Sequence, residues 1–133
     1  MDRVCALLAA ALVIFSPTAA IGVETIVKTI PADEKSYLYG MATYNKLRCR
    51  GSASPTLGRW SAGHGTITTE KVKQVVAEGK KCAGNTFYYL VVYYTPMPGF
   101  RGKDLVTFSI LAPKFEGSLQ TTKWQHRADL TVK

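Results

Sequence analysis

The chain has 133 residues, with 17 Lys+Arg against 9 Asp+Glu, a net charge of +8 and only two histidines. One hydrophobic core suits that length and a second does not. The basic balance favours acidic partners (lipid headgroups, acidic glycans, nucleic acid or an acidic protein surface) without choosing among them, and two histidines leave little material for a transition-metal centre.

Met1-Asp2-Arg3 opens an uncharged, mostly apolar run over residues 4–15. Its twelve residues are fewer than the roughly 20 that cross a bilayer as a helix. They match the apolar core of a secretory signal, with Arg3 as its positive start. Ser16-Pro17 breaks the run, and Thr18-Ala19-Ala20 sets small residues where signal peptidase reads. Cleavage is predicted after Ala20, with Gly22 as the alternative. The domain plan is a signal peptide at 1–20 and a single domain at 21–133, exported to the periplasm or beyond. Losing Arg3 and Asp2 removes one charge of each sign, so the +8 belongs to the mature domain. Cys5 departs with the signal, which leaves Cys49 and Cys82 as one predicted disulfide in an oxidising compartment. Closing that loop stabilises the fold by about 4 kcal/mol in the chain-entropy view.

The mature chain reads as β throughout. Residues 23–29 are rich in β-branched types and predict a first strand; residues 31–36 are a polar connection, and residues 37–39 a short strand ended by Gly40. Residues 45–50 alternate, which predicts a strand with Leu47 and Cys49 on one face and Lys46, Arg48 and Arg50 on the other. Residues 51–65 hold several glycines and Pro55 and read as a long loop, with Trp60 pinning it to the core. Residues 66–69 and 71–76 are two further strand segments. A helix over residues 69–78, capped by Thr69 and lined by Val72, Val75 and Val76, competes with the second.

Residues 79–85 form a turn region around Cys82, and residues 86–95 a strand apolar on both parities, which predicts a central strand covered on both faces. Residues 96–100 make a tight connection. Residues 105–111 then place Val106, Phe108 and Ile110 on one face, and residues 124–132 align Trp124, His126, Ala128, Leu130 and Val132. Seven or eight short strands with turn chemistry between them predict an antiparallel sandwich.

No catalytic constellation is legible. Neither histidine has a ligand-spaced partner, no serine sits in Gly-x-Ser-x-Gly, and the carboxylates are scattered. No cofactor, metal or catalytic residue is expected. The feature that points to a partner is charge. On a strand, Lys46, Arg48 and Arg50 would stand about 6.7 Å apart as a ladder of cations. The 49–82 bridge would bring Lys80 and Lys81 beside it, with Arg59 joining from the long loop. Such a cluster would bind a polyanion in a salt-sensitive way, although charged strand faces also serve only to discourage edge-to-edge aggregation. The tyrosines Tyr88, Tyr89, Tyr93 and Tyr94 offer a platform for sugar rings or, more simply, core packing.

Tyr94-Thr-Pro-Met-Pro-Gly-Phe-Arg-Gly-Lys-Asp104, followed by Val106-Thr107-Phe108 and Ile110, resembles a Y-x-P-x-P-G-F-x-G-x-D-x-F-T-F-x-V segment of bacterial exported immunoglobulin-like and cadherin-like domains. Gly63-His64-Gly65-Thr66-Ile67-Thr68 is similar to the strand start that precedes it there, and Ala128-Asp129-Leu130-Thr131-Val132 to the last strand. The resemblance covers residues 47–132 and departs at 111–123, where a compact turn would be usual. It implies an immunoglobulin-like sandwich acting as a spacer, adhesion or binding module, with Phe100 plugging one end of the core and Asp104 bonding turn amides. The expected function is a non-catalytic exported interaction module contacting an acidic envelope polymer or protein. The alternative is an inhibitor or accessory subunit of an exported enzyme that inserts residues 51–65, with Arg59 and Trp60; a hydrolase is the remote third.

Overall fold

A computed structural model describes residues 23–133. The apolar N-terminal run, its two cleavage points and Cys5 lie outside the described residues. Among the described residues nine strands follow one another: β1 (Glu24–Ile30), β2 (Ser36–Ala42), β3 (Tyr44–Asn45), β4 (Arg50–Gly51), β5 (Thr56–Ala62), β6 (Gly65–Val75), β7 (Thr86–Pro96), β8 (Gly102–Pro113) and β9 (Thr121–Val132). They form a four-stranded sheet in the order β1-β9-β8-β5, a three-stranded sheet β2-β7-β6, and the two-residue ladder β3-β4. Among the described residues no helix is long and apolar enough to cross a membrane.

The core follows from alternation. Val106, Phe108 and Ile110 of β8 and Ala128, Leu130 and Val132 of β9 point inward from one sheet. Leu38 of β2, Ile67 of β6 and Leu90, Val92 and Tyr94 of β7 meet them from the other, and Ile30 of β1 completes a single cluster. The long hairpins β6–β7 and β8–β9 keep register from end to end, because a one-residue slip would turn every one of these side chains to solvent.

Several sequence expectations need correction. The sheets are not all antiparallel: β1 runs parallel to β9, from Glu24 opposite His126 to Ile30 opposite Val132. The chain crosses to the other sheet after β1, so no hairpin dictates the direction in which β1 joins its neighbour. Residues 45–50 are not a strand but a tight hairpin, in which Asn45 pairs with Arg50 and the Asn45 Oδ1 accepts from the amides of Leu47 and Arg48. That short-range asparagine turn outcompetes the alternating pattern.

The supposed loop 51–65 contains β5, an edge strand paired with β8 through a bulge between Leu57 and Trp60. Its glycine is functional there: a methyl on Gly58 would run into Ser109, which β5 covers closely. Trp60 is therefore an exposed edge-strand residue rather than a buried pin. Residues 66–75 are one continuous strand, so the helical reading of 69–78 fails; cross-strand pairing with β7 overrides it. In β7 only the inner face is buried, and the outer face is half-covered. Trp124 shares the inward parity of β9 yet stays exposed, since it lies past the end of the core.

Candidate functional site

Cys49 and Cys82 form a disulfide with their Cα atoms 5.3 Å apart. Both sit in left-handed backbone, at φ 53° and 68°, so each ends a sharp turn. The bridge ties the β3–β4 turn to the β6–β7 connection. One hydrogen bond cements the pair, the Asn85 side-chain amide donating to the Cys49 carbonyl at 2.6 Å, and the Lys46 carbonyl packs 3.2 Å from the Cys82 sulfur. The β6–β7 connection is itself closed by Val76 N–H to the Asn85 carbonyl and Gly84 N–H to the Val76 carbonyl.

This arrangement lays the β3–β4 hairpin over the outer face of β7. The Tyr44 ring stacks on Phe87 at 4.7 Å, and Phe87 tilts against Tyr89 at 5.2 Å. Between them opens a cavity of about 370 Å³ with an aromatic and valine lining, Tyr44, Val75, Val76, Phe87 and Tyr89, and Lys46, Lys80 and Lys81 at its rim. A second cavity of about 470 Å³ adjoins it, bounded by Tyr44, Asn45, Lys46, Pro113, Phe115 and Glu116. The Tyr44 hydroxyl faces this region buried and without a hydrogen-bond partner among the described residues. No lysine of the rim is ion-paired to a carboxylate among the described residues, and Glu116 instead accepts from the Asn45 side chain at 3.0 Å. Three uncompensated ammonium groups around an apolar floor can take an anion that also presents a flat or apolar body.

The structure gathers three of the six basic residues singled out from sequence. Lys46, Lys80 and Lys81 line one cavity. Arg48 and Arg50 are exposed on the same hairpin but form no strand ladder, because the chain turns between them. Arg59 does not join: on β5 it lines a separate groove with Trp60, Thr107, Lys123 and Gln125. The floor residues Tyr44 and Phe87 were not singled out from sequence, because long-range contacts, the pairing of β2 with β7 and the disulfide, bring the hairpin over β7. The other tyrosines divide. Tyr94 is core, while Tyr88 and Tyr93 lie under the ammonium groups of Lys71 and Lys35, at 4.6 Å and 4.5 Å.

Among the described residues, no three His, Cys, Asp or Glu side chains group as metal ligands. His64 stacks on Phe100 at 4.2 Å at the opposite end of the molecule, and His126 is buried against Tyr39 and Phe108. There the Asp104 carboxylate accepts from the amides of Gly63 and His64 and from the Tyr94 hydroxyl, at 3.0, 2.9 and 2.6 Å. Burial pushes the Asp104 carboxyl up, but those three donors outweigh it and hold it below the usual range. Burial, reinforced by the Asp104 charge, pushes the Tyr94 hydroxyl well above its ordinary value. This cluster locks a turn.

No family model matches this sequence, and no curated protein matches it. The solution structure of amebosin is similar over 84% of this chain and 100% of that one, at 14% identity and a TM-score of 0.44, a likeness too slight to bear on function.

Proposed function

We propose that this chain is an exported, non-catalytic binding module of immunoglobulin-like architecture that takes an acidic polymer or acidic protein surface at its disulfide-held end. The strand order supports the architecture: β2-β7-β6 facing β5-β8-β9 follows the two-sheet order of immunoglobulin domains, with β1 joining the last strand. It departs in its disulfide, which joins two connections at one end rather than the two sheets. A disulfide fits an oxidising compartment and hence export.

The observation that carries the binding reading is the aromatic cavity rimmed by Lys46, Lys80 and Lys81 with no carboxylate in its lining. The inserting-loop alternative loses its element, since Arg59 and Trp60 lie on an edge strand. The test is retention on immobilised heparin, used as a generic polyanion. The variant K46E/K80E/K81E should elute at markedly lower salt than the native chain, whereas R59E should elute close to it. Equal elution of native and K46E/K80E/K81E protein would sink the reading.

A further inference from the structure

The same end of the molecule carries an apolar feature that a soluble polyanion does not need. Among the described residues, four of the five most exposed large hydrophobic side chains are here: Leu119 at 101%, Leu47 at 81%, Phe115 at 64% and Val75 at 60%, with Val27 the exception. Scattered apolar side chains are ordinary on a surface, but a cluster at loop tips is not. These come from three connections that the structure ties together. Leu47 sits in the β3–β4 turn, two residues from Asn45, whose side chain bonds Glu116 next to Phe115. Phe115 and Leu119 lie in the β8–β9 connection, closed by Lys114 N–H to the Gln120 carbonyl. Val75 borders the β6–β7 connection and lines the lysine-rimmed cavity.

The same three connections and the adjoining β4 carry Lys46, Arg48, Arg50, Lys80, Lys81 and Lys114 against Glu78 and Glu116. Apolar tips within a ring of excess positive charge match the layering of an anionic bilayer, with headgroup phosphate outside and acyl chains beneath. A second copy of this chain would bring like charges face to face. We infer that this end docks onto an anionic phospholipid surface, with Leu47, Phe115 and Leu119 entering the interfacial layer and the surrounding cations contacting headgroup phosphates.

The inference rests on the acidic-partner reading and names the partner as lipid. Co-sedimentation with vesicles of phosphatidylglycerol and phosphatidylcholine, beside vesicles of phosphatidylcholine alone, tests it, with heparin elution measured on the same proteins. The native chain should sediment with the anionic vesicles only. L47S/F115S/L119S should lose about tenfold in vesicle partitioning while eluting from heparin like the native chain. The single variant L119S, altering a side chain with no packing role, should show part of that loss, and thermal melts confirm that each variant is folded. Native protein that binds heparin but ignores anionic vesicles overturns the lipid inference and leaves the acidic-polymer reading standing. So does a triple variant that sediments undiminished. Binding of neutral and anionic vesicles alike overturns the role of the cations. Unchanged heparin elution of K46E/K80E/K81E removes the reading beneath both.

Discussion

Asp104 carries unusual responsibility for a single side chain. Its buried carboxylate accepts from two amides of the β5–β6 turn and from the Tyr94 hydroxyl of β7, so truncation leaves three donors unpaired. We expect D104A to lower unfolding free energy by about 3 kcal/mol, read by denaturant titration. Gly65 belongs to the same joint, because a methyl there would clash with the edge of the Tyr94 ring, and G65A should destabilise comparably while G79A, with open space around it but a positive φ, should cost less. Asp104 and His126 act on stability at different pH. Asp104 is held below its ordinary 3.8, so its contribution is present above that value and disappears as pH falls through the folded one. His126 is pushed below 6.5 by burial, against the opposing charge of Glu24 3.5 Å away. Both its nitrogens lack hydrogen-bond partners among the described residues. The unfolded chain therefore takes up a proton that the folded chain refuses, and stability should decline as pH drops below 6.5. H126L, set between Tyr39 and Phe108, should flatten that limb of the profile while leaving the Asp104 limb in place.

At the scale of elements, the β3–β4 hairpin is the dependent piece. Two residues on each side make too short a ladder to hold itself, and its place over β7 relies on the disulfide and the Tyr44–Phe87 stack. C49A/C82A should lose about 4 kcal/mol from loop entropy, and its heparin elution should move toward that of K46E/K80E/K81E even though every lysine remains. Native-like elution of a folded C49A/C82A protein would mean that the bridge does not assemble the site. The hairpins β6–β7 and β8–β9 are self-sufficient by comparison, with unbroken register over eleven and twelve residue pairs. β1, β7, β8 and β9 were legible because apolar or β-branched content marks them, whereas β6 was read in two pieces with a competing helix and β2, which has no β-branched residue and runs on through Gly40, was read only in part. Residues 45–50 misled because their alternation is real but local, and Asn45 closes a turn across it. Residues 51–65 misled in the opposite direction. Glycine and serine read as loop, yet Gly58 is what lets an edge strand lie close over Ser109.

For the whole molecule, the excess of positive charge is concentrated in function only where it is uncompensated. Exposed lysine contacts are screened with a Debye length of about 8 Å at physiological ionic strength, so heparin binding by the native chain should weaken steeply as salt is raised through that range; binding indifferent to salt would point to the apolar cavity floor instead. Sequence by itself determined the all-β class, the single core with Val106, Phe108, Ile110, Ala128, Leu130 and Val132 facing inward, and the Cys49–Cys82 pairing. Each of those depends on local period, turn chemistry or the parity of two cysteines. Tertiary structure decided the rest: the parallel pairing of β1 with β9, the separation of Arg59 from Lys46, Lys80 and Lys81, and the folding of Tyr44 over Phe87. These are contacts between segments distant in the chain, chosen by how two sheets and one disulfide pack, and no periodicity within a segment encodes them.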